Sequence, residues 1–62
     1  MKELKFRGAK VRVYHHSSGV EYWVAEIDLE TGWWELPTVF YSKRELKRGL
    51  WYWTSRWYSR LA

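Results

Sequence analysis

The residues first weighed for chemistry are the histidines, serines and carboxylates. His15 and His16 are the only imidazoles. Neighbours on a strand point to opposite faces, so the two do not share one metal. The chain has no cysteine, which removes any thiolate zinc site. Ser17 and Ser18 follow the histidines, but adjacency inside a Gly-containing turn is not the geometry of a nucleophile and its base. Glu26 and Asp28 fall on one face of a predicted strand, the ordinary place for two solvated acids. No Gly-rich phosphate loop is present, and so short a chain leaves little room for a substrate pocket. The expectation is a protein that is not an enzyme and uses no metal or cofactor.

Arginine and aromatic residues carry the stronger signal, and it is concentrated from Ser42 to Ala62. Ser42-x-x-Glu45 has the spacing at which two side chains cap a helix start reciprocally. Leu46, Leu50, Trp53, Trp57 and Leu61 then recur at steps of four, three, four and four, one apolar stripe on a helix. Arg44, Lys47, Arg48 and Arg56 lie mostly off that stripe, and Trp51 and Tyr52 lie on the side of Arg44 and Arg48. Guanidinium groups there suit phosphates, and the rings suit bases or sugars. Arg stems also lie across exposed rings with no ligand involved. Trp23, Trp34, Trp53 and Trp57 are expected in the core, and Trp33 and Trp51 exposed or half-exposed.

The elements that would position these residues follow from periodicity. Residues 1–8 read as a basic arm or an edge strand, ended by Gly8. Ala9 to His15 alternates, with Val11 and Val13 on one face and Lys10, Arg12 and Tyr14 on the other. Ser17-Ser18-Gly19 is a three-residue turn. Val20 to about Asp28 is a second strand, with Trp23, Ala25 and Ile27 on one face and Tyr22, Val24 and Glu26 on the other. Leu29 to Gly32 turns the chain again. Trp33 to Tyr41 is a third strand, with Trp34, Leu36 and Phe40 on one face. Pro37 makes it an edge strand or marks a bulge. Gly49 costs a helix interior about 1 kcal/mol relative to Ala. It either sits inside the helix or ends it at Arg48, leaving Leu50 to Trp57 as a strand. The expected fold is α+β: one domain over residues 1–62, with a basic arm (1–8), a three-stranded antiparallel sheet (9–41) and a C-terminal helix (42–62). The alternative is a small SH3-like β-barrel.

Sixty-two residues make one small domain, which buries only about 60% of its unfolded surface. Without disulfides, six Trp, five Tyr and two Phe must supply the core. Net charge is +4, unevenly spread. Residues 1–12 carry five Lys/Arg and one Glu, residues 13–42 carry five acids and no Lys or Arg, and residues 43–62 carry six Lys/Arg and one Glu. Either the ends neutralise the middle, or together they make a basic surface suited to phosphates. The N-terminus has no apolar leader segment, and no apolar run approaches the ~20 residues of a membrane span. These features lead to the expectation of a soluble cytoplasmic protein with no membrane partner, complete from its opening Met.

The order of elements also resembles a known family. Strand, Gly turn, a strand with Tyr22-Trp23-Val24, the Asp28-to-Gly32 turn, a third strand, and Phe40-Tyr41-Ser42-Lys43-Arg44-Glu45 opening a helix are similar to the arm-type DNA-binding domains at the N-terminus of tyrosine recombinases. The resemblance spans residues 9 to about 57. It implies an AP2-like fold, three strands on one helix, with the sheet laid in the major groove of DNA. Glu26 and Glu35 depart from that family's basic sheet face and shift the expected contact toward Lys10, Arg12, the arm (Lys2, Lys5, Arg7) and the helix. A second resemblance competes: Gly8 to Val13 with Tyr22 to Ala25 looks like the opening strands of SH3-like or Tudor-type barrels, which more often bind protein ligands.

Two functions remain open on this reading. The first is a small accessory or regulatory module that binds nucleic acid, with double-stranded DNA as partner. Lys10, Arg12, Arg44, Lys47, Arg48 and Arg56 would meet phosphates, and Tyr14, Trp33, Trp51 and Tyr52 would add groove or stacking contacts. The second is a protein-interaction module, such as an inhibitor or adaptor, using exposed Trp, Tyr and Arg.

Overall fold

The computed structural model describes the backbone of residues 1–61 and the side chains of residues 1–55. Four antiparallel strands form one open sheet in the order β1-β2-β3-β4: β1 (Lys2–Phe6), β2 (Ala9–His16), β3 (Tyr22–Asp28) and β4 (Trp33–Glu35). A single helix, α1 (Lys43–Leu61), packs on one face. The sheet therefore has one strand more than the sequence reading of three. The segment read as a basic arm or an edge strand is the first edge strand, with Leu4 opposite Val11 and Phe6 opposite Ala9.

What makes β1 a strand is the turn that follows. Arg7 and Gly8 are the only residues between Phe6 and Ala9, and both have positive φ, 53° and 86°. That pattern belongs to two-residue hairpins, because its twist matches that of the strands. Gly8 thus closes a hairpin instead of merely ending a segment.

The alternation in β2 and β3 is realised as expected. Val11, Val13, Trp23, Ala25 and Ile27 are buried on the inner face. Arg12, Tyr14, Val24 and Glu26 lie on the outer face, with Arg12 opposite Glu26. Pairing ends where His16 meets Tyr22, their rings stacked at 4.7 Å. The connecting loop is consequently residues 17–21, two longer than the three-residue turn expected, and Val20 is exposed in it.

The fourth strand is interrupted as Pro37 foretells. Leu36 N–H donates to Ala25 O at 2.9 Å, and Trp23 and Phe40 exchange backbone hydrogen bonds at 2.7 and 2.9 Å. Glu35 pairs with Glu26 and Phe40 with Trp23, so three steps along β3 match five along its neighbour. Two residues therefore bulge out. A residue without an N–H is tolerated at such an edge bulge. Leu36 and Phe40 stay buried, whereas Thr38 between them is exposed.

The helix start is capped as its spacing implies. Glu45 N–H donates to Ser42 Oγ at 3.1 Å. Glu45 Oε2 in turn accepts from the N–H of Tyr41, at 2.9 Å, one residue earlier than in the usual reciprocal cap. α1 runs through Gly49, so the strand alternative for Leu50 to Trp57 and the barrel built on it are overturned. The reason lies in the packing: the Phe40 ring sits against Gly49 where a Cβ would be. The glycine lets a ring touch helix backbone. Leu50 and Thr54 are buried, with Leu46 and Trp53 packed around the same core. Thr54 satisfies its buried hydroxyl by donating to Leu50 O at 2.6 Å. The expected core place of Trp34 is corrected. It lies opposite Ile27 on the edge strand of the sheet and is 39% exposed. Its ring meets Trp53 edge-on at 5.5 Å. Trp57 and Leu61 have side chains outside the described residues.

Candidate nucleic-acid interface

The candidate residues divide between the two sides of the sheet. Lys10, Arg12 and Tyr14 project from the outer face, and Trp33 lies with them. Arg44, Lys47, Arg48, Trp51 and Tyr52 belong to α1, which covers the inner face. The arrangement expected of a single basic surface, strand one together with the helix, does not form. The Arg56 side chain lies outside the described residues.

On the outer face, Arg12 is held by its neighbours. Its guanidinium lies 3.9 Å over the Trp33 ring, and its Nε is 3.7 Å from Glu3 Oε2. Register places Glu3, Arg12, Glu26 and Glu35 in one row across all four strands, one cation among three carboxylates. Tyr14 hydrogen-bonds Glu26, and this bond, with burial and the carboxylate's charge, raises the phenol's pKa above its ordinary value against a smaller opposing pull from Arg12. A hollow of about 430 Å³ next to this row is lined by Tyr14, His16, Tyr22, Val24, Glu26 and Glu35. Phosphates approaching here meet carboxylates.

The helix side differs. Arg44, Lys47, Arg48 and Trp51 stand at i, i+3, i+4 and i+7, one face of a helix. Together with Phe6 at the end of β1 they line a groove of about 440 Å³ with aromatic surfaces and a cationic rim. Among the described residues, no carboxylate lines it. Glu45, the acid of the first helical turn, is committed to the cap on Tyr41 N–H.

Trp51 is 58% exposed and held in place. The Arg7 guanidinium lies 3.8 Å over its ring, and Arg7 Nη1 donates to Trp51 O at 3.4 Å and to Ser55 Oγ. The hairpin turn and the third turn of the helix are thereby tied together, which brings Phe6 alongside Trp51. Tyr52 is exposed and packs edge-on against Trp53 at 5.1 Å, so it stands outside the groove lining.

Sequence reasoning missed Phe6 and gave Arg7 no place beside Trp51. The signal for Phe6 was present in the alternation of Leu4 and Phe6 with Lys5 and Arg7. Nothing in the sequence placed Arg7 over a ring 44 residues away.

His15 and His16 do separate to opposite faces, His15 stacked on Trp23 at 4.5 Å and His16 on Tyr22. Among the described residues, no group of three or more His, Asp or Glu stands where it could hold a metal ion. Among the same residues, no helix is long and apolar enough to cross a membrane. The chain matches no family model, no curated protein and no solved structure.

Proposed function

We propose that the chain is a small nucleic-acid-binding module that takes its ligand on the helix side, with phosphates on Arg44, Lys47 and Arg48. One observation carries this reading: three cations at helical spacing rim a groove that holds the exposed Trp51 ring and the half-buried Phe6 ring, with no carboxylate among the described residues that line it. Such a surface attracts polyanions through phosphate contact and counterion release. The sheet-in-groove docking implied by the recombinase resemblance has less support, because Glu3, Glu26 and Glu35 surround Arg12 on the face that would enter the DNA. Duplex DNA then remains a ligand for the helix side, not for the sheet. The proposed role is that of an accessory or regulatory factor.

The test is binding of mixed-sequence oligonucleotides at several salt concentrations. Log affinity is expected to fall linearly with log salt. Arg44→Gln and Arg48→Gln should each flatten that slope by about one phosphate's worth. Absence of binding even at low salt rejects the reading.

A second reading, a protein partner, is favoured by the outer face. Trp33, Tyr14 and Tyr22 stand there beside Glu26 and Glu35, an aromatic and acidic surface suited to a basic protein. Capture of a defined partner that is lost on Glu35→Lys, but kept by Arg48→Gln, would favour it.

A further inference from the structure

We propose, on the nucleic-acid reading of the groove, that its ligand is an unpaired strand, with a base stacked on Trp51 and the adjoining phosphates on Arg44, Lys47 and Arg48. The argument starts from what a duplex offers. Paired bases hide their faces in the stack and present phosphates and groove edges. A duplex therefore makes use of the cations but has nothing to place on ring faces. An unpaired strand uses both, since every base has a π-face whatever its sequence.

Trp51 is built for that contact. Its ring is 58% exposed, yet the Arg7 guanidinium lies 3.8 Å from its centroid and is hydrogen-bonded to Trp51 O and Ser55 Oγ. Arg7 occupies one face and fixes the ring, so a base on the other face costs little ordering entropy. Phe6 supplies a second ring in the same groove, brought there by the Arg7-Gly8 turn. Arg44 and Arg48 lie one helical turn apart, about 6 Å along the axis, so consecutive backbone groups can each find a cation. DNA and RNA share this chemistry, because stacking and phosphate contact need no 2′-hydroxyl.

The experiment measures anisotropy of a fluorescein-labelled mixed-sequence oligonucleotide of about 12 nucleotides, within the range of small single-strand binders. The same strand is tested alone, annealed to its complement, and as RNA. The unpaired strand is expected to bind at least about tenfold more tightly than the duplex at equal salt. Trp51→Ala should lower single-strand affinity by roughly ten- to a hundredfold, the worth of one base stack, and collapse the preference over duplex. Trp51→Phe and Phe6→Leu, which keep apolar bulk and fold, separate stacking from structure: the first should retain most of the preference and the second lose part of it. Equal or tighter duplex binding, or Trp51→Phe as damaging as Trp51→Ala, overturns the proposal and leaves nucleic-acid binding standing. Binding of neither form at low salt removes both. Similar affinity for the DNA and RNA strands supports recognition by stacking and phosphate contact alone, whereas loss of the Trp51→Ala effect on both strands overturns it.

Discussion

Gly49 shows how a single residue can invert an expectation drawn from propensity. In a solvated helix, Gly→Ala stabilises by about 1 kcal/mol. Here the added methyl would collide with the Phe40 ring, which is buried against the helix. Gly49→Ala is therefore expected to destabilise the fold by about 1–3 kcal/mol, the usual cost of overpacking. In a Phe40→Ala background the same substitution should turn neutral or stabilising. Urea denaturation of the four proteins measures this double-mutant cycle, and an unchanged sign in both backgrounds would refute the contact. Tyr14 allows a second prediction. Its pKa is raised, chiefly by its hydrogen bond to Glu26. The native state thus holds the phenolic proton more tightly than the unfolded chain, so the associated stability is complete below about pH 10 and declines as pH rises through the folded value. A phenolate absorbance titration, wild type minus Tyr14→Phe, should show one tyrosine titrating late, and Glu26→Gln should bring it back toward its ordinary value.

The helix start depends on two side chains that act as a unit. Ser42 and Glu45 satisfy the N–H groups of Glu45 and Tyr41. Ser42→Ala should cost about 1 kcal/mol. Glu45→Ala should cost a similar amount, since it also removes a negative charge from the positive end of the helix dipole. The double variant is expected to lose less than the sum, because a frayed first turn leaves either cap without a partner. Thermal melting followed by far-ultraviolet circular dichroism reads all three. The Arg7-Gly8 turn has comparable importance for β1. Gly8 at φ 86° tolerates no β-branched side chain without strain. Gly8→Val should release the β1 edge and, with it, the alignment of Phe6 and Arg7 with Trp51.

Across the whole molecule, the sheet separates two electrostatic characters. Its outer face mixes Lys5, Lys10 and Arg12 with Glu3, Glu26 and Glu35, while the helix side carries Lys43, Arg44, Lys47 and Arg48 with Glu45 tied into the cap. A net charge of +4 understates this asymmetry. Stability is also uneven. β2 and β3 are paired on both sides and carry the fully buried Val11, Ala25 and Ile27, whereas β1 and β4 are edges. Amide hydrogen exchange should be slowest at the hydrogen-bonded positions of β2 and β3 and faster in β1 and β4. Equal protection of edge and central strands would contradict this distribution of packing.

Much of this protein could be read without coordinates, because local chemistry is expressed in local spacing. The alternation of Val11 with Val13 and of Trp23, Ala25 and Ile27 identified two strands and their buried face. Ser42-x-x-Glu45 marked the helix start, and Pro37 marked the interrupted edge. Period and cap are properties of neighbours in the chain, so the sequence carries them directly. What it left open were contacts between residues far apart. Gly49 left a helix end at Arg48 open as the alternative to a helix through residue 62, and the Phe40 ring against it shows why a glycine stands inside the helix. Lys10 and Arg12 had the same residue types as Arg44 and Arg48, and only the tertiary structure put them on opposite sides of the sheet. Trp34 had a core pattern, yet its place on the edge strand leaves it 39% exposed beside Trp53. Arg7 and Trp51 met because a two-residue turn and a helix converge in space. Such contacts are selected by the packing of whole elements, where many weak interactions are summed at once, and no short stretch of sequence contains that sum.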